Sequence, residues 1–169
     1  ATEDGGLNYL NSKKEITRAE RLHKQMQIYA KNIHSLWLDK DNSLWLGLFL
    51  KGALHYIPHL NRTVDYNLLS EEVSSGFCII EDKNDHVWYG GPSGLFLIDK
   101  KKANARPEKI SPLRIFNLVQ FNDSILWAGT RKGSMFQINT RTLKVTSLPI
   151  LPHTDLYVTY ICLLYTSPS

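Results

Sequence analysis

The chain has 169 residues, 43% of them hydrophobic and 21% charged, with a formal net charge of +4. With 10 glycines, 7 prolines and 2 cysteines, it is neither a collagen, nor a low-complexity chain, nor a disulfide scaffold. No stretch approaches the roughly 18 consecutive apolar residues that a spanning helix needs, so no membrane span is predicted. Its two basic stretches, 13–31 and 100–114, each lack a stacking platform of interleaved aromatic residues, so no nucleic-acid partner is predicted either.

A Trp-x-Gly sequence recurs three times along the chain. Its tryptophans, Trp45, Trp88 and Trp127, are separated by 43 and 39 residues. In each unit aliphatic residues lie nine and one positions before the tryptophan, and turn-forming residues lie four and three positions before it. A second glycine follows the first by four or five residues. Three copies with matching flanks predict a repeat architecture.

The elements of this repeat are predicted in chain order. The opening segment, 1–10, matches the second half of a unit, whereas 15–30 has apolar residues at helical spacing and fits a helix or a strand with a long connection equally well. In the next unit 33–38 is a strand, 39–43 a tight turn and 44–49 a second strand, and further strands follow at 53–57 and 63–66. The same pattern returns near 75–112 and 113–156, and 157 opens another unit.

Four short antiparallel strands in every 40 to 45 residues are typical of a propeller blade. The predicted fold class is therefore all-β: a partial β-propeller with about three complete four-stranded blades plus partial blades at both ends. An open β-meander or a sandwich is the alternative. The predicted units lie near 1–30, 31–74, 75–112 and 113–156. We expect residues 162–169 to be a sequencing-adapter read-through that does not contribute to the fold.

The units resemble the two-component regulator propeller repeat. The resemblance is carried by the turns Asp39-Lys-Asp41-Asn42 and Asp82-Lys-Asn84-Asp85 and by the segment 1–10, and Phe121 departs from it in the third unit. It implies a non-catalytic, ligand-sensing fragment of a bacterial hybrid histidine kinase receptor, located in the periplasm and detecting glycans. The implied partners are an oligosaccharide, the remaining blades and the downstream kinase of the parent chain. An enzyme propeller (a lyase or a glycoside-active protein) and a protein-interaction scaffold are the alternatives.

The turns between second and third strands share one face of a blade with the connections between blades. Loops on a rigid scaffold often carry recognition, so aromatic and charged residues here are the candidate ligand-binding residues. They are Phe49, Lys51, Glu71, Pro92, Arg131, Lys132 and His153.

No catalytic residue, cofactor or metal site is predicted. The histidines His55 and His59 have the spacing of a helical zinc pair, but they follow a strand and Pro58 separates them. We expect both to be ordinary surface histidines.

Overall fold

The computed structural model describes residues 7–18, 32–66, 75–102, 104–131, 134–149 and 158–163. Apart from a short 3-10 turn at Pro58–Leu60, the regular elements in these ranges are β-strands. The strands are β1 (Asn8–Leu10), β2 (Ile16–Arg18), β3 (Ile33–Leu38), β4 (Leu44–Leu48), β5 (Gly52–Ile57), β6 (Arg62–Asp65), β7 (Cys78–Glu81), β8 (His86–Gly91), β9 (Gly94–Asp99), β10 (Glu108–Ser111), β11 (Ile115–Asn122), β12 (Ile125–Thr130), β13 (Ser134–Asn139) and β14 (Val145–Pro149).

The strands form three four-stranded antiparallel sheets and one two-stranded sheet. Strands β3 to β6, β7 to β10 and β11 to β14 each pair in chain order, and β1 pairs with β2. The first strand β7 packs against β3 on one side and against β11 on the other, so the three sheets stand side by side as blades of a propeller. The predicted partial propeller is confirmed. We refer to the three complete sheets as the first, second and third blades.

For residues 15–30, the sequence fits a helix and a strand with a long connection equally well. The structure has the strand β2 near the start of this segment, and residues 19–30 lie outside the described ranges. Near the other end of the chain, residues 161–163 have no regular secondary structure and Cys162 is exposed. Residues 164–169 of the expected read-through lie outside the described ranges.

Among the described residues, no helix has the length and apolar character needed to cross a bilayer.

The repeat tryptophans occupy equivalent places in the blades. Trp45, Trp88 and Trp127 lie in the second strands β4, β8 and β12. Trp45 packs in one cluster with Val87 of the second blade, and Trp88 clusters with residues of the third. Because one sheet cannot bury both of its faces, the side chains of Trp45 and Trp88 fill the layers between neighbouring blades.

Two of these indoles are fixed by an aspartate six residues earlier. Trp45 Nε1 donates to Asp39 Oδ2 at 3.1 Å, and Trp88 Nε1 donates to Asp82 Oδ2 at 2.9 Å. Phe121 occupies this position in the third blade and stacks on Trp127, with ring centroids 4.3 Å apart. The buried Trp127 Nε1 therefore has no hydrogen-bond acceptor among the described residues.

The glycine of Trp-x-Gly is required by close approach of the next blade. A Cβ atom on Gly47 would lie 2.3 Å from the carbonyl oxygen of Gly76, and one on Gly129 would lie 2.4 Å from that of Val158. A Cβ on Gly90 would lie 2.6 Å from Cγ2 of Ile115. The beginning of each following unit thus rests on the second strand of the unit before it.

The surface position expected for His55 is wrong. Its side chain is buried in β5, where the ring stacks on Trp45 with centroids 4.0 Å apart and Nε2 lies 2.7 Å from the Ser43 hydroxyl. Pairing of β4 with β5 places His55 directly opposite Trp45, and this cross-strand contact is what buries it. His59 lies in the exposed 3-10 turn, as expected.

Candidate functional site

The turns β4–β5, β8–β9 and β12–β13 lie at one edge of the blades, together with the beginnings of the first strands β3, β7 and β11. This follows from the antiparallel order, in which each first strand starts at the edge where the second strand ends. We call this edge the upper face. The turns between first and second strands, which carry Asp39 and Asp82, lie at the opposite edge, the lower face.

Four of the predicted candidate residues lie in described parts of the upper face. Phe49, Lys51 and Arg131 are exposed, and Pro92 is half-buried. Residues Glu71, Lys132 and His153 lie outside the described ranges, so their candidacy stays a prediction. The structure does not bring Lys51, Pro92 and Arg131 together in one cavity of the described residues; they are distributed along the three blades.

The upper face carries a row of stacked rings that crosses all three blades. His34 stacks on Phe49 and on Phe77, with centroids 5.5 Å apart in both pairs. Phe77 stacks on Phe116 at 5.8 Å, and the Arg114 guanidinium lies 5.4 Å from the centroid of Phe116. We call these five residues the aromatic row.

The row has one open end among the described residues. His34 and Phe77 each have a ring on both sides, and Phe116 is covered by Phe77 and Arg114. Phe49 has one such ring contact and is 43% exposed, so its ring offers a face for a ligand. Offset ring pairs of this kind contribute about 0.5–1.5 kcal/mol each beyond area burial, which also makes the row a connection between blades.

Sequence reasoning found Phe49 but missed the rest of the row. The signal was present, because His34, Phe77 and Phe116 each lie eleven residues before the repeat tryptophan. An aromatic ring at the same offset in three units indicates a position that faces the same way in every blade.

The lower face contains a buried ionic cluster between the first and second blades. The Lys100 ammonium donates to Asp39 Oδ2 and, at 2.9 Å, to Glu81 Oε1. Both carboxylates are buried, whereas the Lys100 side chain is 22% exposed. A second carboxylate beside one lysine means that two negative charges share one positive charge.

The cluster shifts the pKa values of its members in different directions. Burial raises the pKa of Asp39, but hydrogen bonds with Lys100, Glu81 and Trp45 outweigh it and lower that pKa from 3.8 to about 2. Burial and the neighbouring Asp39 raise the pKa of Glu81, while Lys100 lowers it less. Asp39 is thus the member that stays ionised, and Glu81 is the member that protonates first.

No group of three or more His, Cys, Asp or Glu side chains that could hold a metal ion occurs within the described ranges.

Of the two thiols, Cys78 is buried, and this burial raises its pKa to about 12, so it stays protonated and inert at neutral pH.

Comparison with solved structures shows where this arrangement of blades occurs. The extracellular domain of BT4673 from B. thetaiotaomicron, described as a hybrid two component system, superposes with a TM-score of 0.70 and 21% identity over 88% of this chain. The corresponding domain of BT3049 from the same organism gives a TM-score of 0.62 and 19% identity over 86% of the chain. This chain spans about 20% of the length of each of those domains.

A β-propeller from another class of protein has the same fold. The Cps50 (Swd1) propeller domain of Myceliophteria thermophila gives a TM-score of 0.65 and 12% identity over 96% of this chain and 61% of its own length. No protein-family model and no curated protein sequence matches the chain. The chain therefore has a β-propeller fold, shared with extracellular domains of hybrid two-component systems, the class of receptor that its repeat motif resembles.

Proposed function

We propose that this chain is a ligand-sensing part of a hybrid two-component receptor and that it works in the periplasm, with the kinase of the parent chain as its signalling partner. The observation that carries the proposal is the agreement of two independent features. The Asp-rich turns and Trp-x-Gly units resemble the repeat of such receptors, and the fold matches the extracellular domains of BT4673 and BT3049. Binding would bias a two-state equilibrium of the receptor.

The proposed ligand is a glycan that binds the upper face at the open end of the aromatic row. Sugar rings present an apolar face that packs on an aromatic ring, and Phe49 has such a ring exposed. Lys51 lies two residues further along the same turn and is also exposed, so a charged group adjoins the ring. Hydroxyl groups of a sugar packed on Phe49 would then find polar partners beside it.

The buried carboxylates of the lower face do not favour glycoside hydrolysis. Asp39 and Glu81 both accept hydrogen bonds from Lys100, and they lie at the edge opposite the aromatic row. We therefore propose binding, without chemistry, at the upper face. The protein-interaction scaffold stays as the alternative, and it predicts no saturable binding of any glycan.

The test is binding of an array of neutral and acidic oligosaccharides to the 169-residue chain, followed by calorimetry with the best binder. Phe49→Ala should weaken its binding about tenfold, the loss expected for one ring contact of about 1.4 kcal/mol. Phe121→Ala is the matched control, because Phe121 is 47% exposed but lies at the lower face. Equal loss in both variants, or no oligosaccharide bound, contradicts the proposal.

A further inference from the structure

A cleft of about 490 Å³ opens at the lower face between the first and second blades. Its walls come from β4, β5 and β6 of the first blade and from the loop that joins β9 to β10 in the second. This places it at the edge opposite the aromatic row, and none of its lining residues belongs to the site proposed for the glycan.

The floor of the cleft is aromatic and uncharged. Trp45 is buried, the ring of His55 lies parallel to it at 4.0 Å, and Tyr66 lies 5.3 Å from it on a tilted plane. Burial lowers the pKa of His55 to about 4, so the imidazole is neutral at neutral pH. A ring compound entering the cleft would therefore meet the small exposed parts of His55 and Tyr66, 8% and 9% of these residues, without a charge at the base of the cleft.

The rim of the cleft is cationic. Its described lining includes Arg62, Lys102 and Arg106, all exposed, and contains no carboxylate. Lys100 also borders the cleft, but its charge is neutralised by Asp39 and Glu81 beneath it.

The cations of the rim differ in their partners. Lys102 has a long ion pair with Asp99 at 3.6 Å. Among the described residues, neither Arg62 nor Arg106 forms an ion pair. Two guanidinium groups that lack a counter-charge from any described residue thus stand beside this floor.

We propose that this cleft binds a small ring compound that carries a carboxylate. The guanidinium groups of Arg62 and Arg106 present paired N–H donors that match the two oxygens of a carboxylate. The ring of the ligand would pack against Tyr66 and Val64, which line the cleft and keep part of their surface exposed. Because this site lies at the other face, the proposal does not depend on the proposed glycan binding.

The experiment is calorimetric titration of the 169-residue chain with benzoate and with benzyl alcohol, its uncharged analogue, at low ionic strength. We expect saturable binding of benzoate and none of benzyl alcohol. The double variant Arg62→Gln with Arg106→Gln should weaken benzoate binding at least about tenfold, because it removes both charge-assisted partners. Exposed arginines change stability by only about 0.5 kcal/mol when replaced, so the variant should remain folded, which circular dichroism checks.

The matched control is Arg141→Gln with Lys144→Gln, which removes the same charge from exposed positions in the third blade. This variant should bind benzoate like the unmodified chain. Equal weakening by both double variants would show a general charge effect and overturn the proposal. Binding of benzyl alcohol as tight as that of benzoate, or no saturable binding of benzoate, would overturn it as well.

Discussion

At the scale of single residues, the blades differ in the hydrogen bonding of the indole N–H group of the repeat tryptophan. In the first and second blades it donates to a buried aspartate, and each aspartate also accepts hydrogen bonds from backbone N–H groups of its own turn, Asp39 from Lys40 and Asp82 from Asn84 and His86. In the third blade the N–H of Trp127 is buried and has no acceptor in the part of the chain that the structure describes. A buried donor of this kind costs about 1–3 kcal/mol.

Phe121→Asp should stabilise the chain by about 1 kcal/mol. The new carboxylate would accept from Trp127 Nε1, as Asp39 and Asp82 do for their indoles, and this gain exceeds the lost ring contact. Urea unfolding measures the difference. Phe121→Ala is the control: it removes the ring without adding an acceptor and should destabilise the chain by about 1 kcal/mol. Equal destabilisation by both variants would show that the aspartate does not reach the indole.

The Asp39 carboxyl should make stability depend on pH in the acid range. Its folded pKa of about 2 lies below its ordinary value of 3.8, so its contribution is fully present above pH 4 and is lost as the pH falls towards 2. The expected loss is about 2 kcal/mol. Urea midpoints between pH 2 and 5 measure it.

Asp39→Asn should flatten the fall in stability between pH 4 and pH 2, because it removes the carboxyl group that titrates there. If the urea midpoint of Asp39→Asn falls below pH 4 as steeply as that of the unmodified chain, other carboxyl groups cause the pH dependence. Glu81 acts in the opposite sense, because its raised pKa favours the protonated form in the folded state and its contribution falls as the pH rises.

At the scale of strands and turns, the blades are joined where a glycine of one meets the beginning of the next. Gly90 leaves room for the buried side chain of Ile115, and Gly47 leaves room for the backbone at Gly76, whose carbonyl also accepts from the Ser35 hydroxyl at 3.1 Å. The fit at these junctions sets the distance between neighbouring sheets.

Gly90→Ala should destabilise the chain by about 1–3 kcal/mol, because its methyl group overlaps Ile115. Ile115→Ala alone should cost about 2–5 kcal/mol by leaving a cavity. The double variant should cost less than the sum, since the new methyl group enters the space that the isoleucine vacates. Denaturant unfolding of all four chains gives this coupling energy, and strict additivity would mean that the two residues do not compete for space.

The elements were largely predictable from the repeat, whereas the contacts between them were not. The offsets around Trp45 and Trp88 placed the strands, and Asn42 and Asp85 adopt the positive φ of 62° and 63° that their turns need. The burial of His55 depends on which residue lies across the strand pair, and Lys100 meets Asp39 across 61 residues of sequence. No local pattern encodes such a meeting. The row through His34, Phe77 and Phe116 could have been predicted, but only by aligning the units, since each ring lies eleven residues before the repeat tryptophan.

At the scale of the whole molecule, the two-stranded β1–β2 sheet presents apolar side chains at the surface. Tyr9, Leu10 and Ile16 of the β1–β2 sheet are 54%, 61% and 74% exposed, and Leu10 pairs directly with Ile16. Exposed apolar side chains on a two-stranded sheet favour pairing with another chain.

We therefore expect the 169-residue chain to self-associate, as sedimentation velocity would show. Leu10→Glu with Ile16→Lys should shift it towards the monomer, because it places an ion pair on the exposed face of the sheet. Leu60→Lys is the control, since Leu60 is 59% exposed but lies in the 3-10 turn of the first blade. A monomeric unmodified chain, or equal dissociation by the control, would contradict the expectation.

The glycine junctions limit how the units could be rearranged. Each unit carries its own turns, and the first two carry their own tryptophan hydrogen bonds. The space above the glycine of a unit is shaped instead by a residue of the following unit: Gly76, Ile115 or Val158. A chain with the second and third units exchanged would place a side chain over Gly47, where the present successor contributes a backbone carbonyl. In such a permuted protein, the residue that faces Gly47 would have to be replaced before the sheets could pack. The residues at the glycine junctions therefore determine the order of the units along the chain.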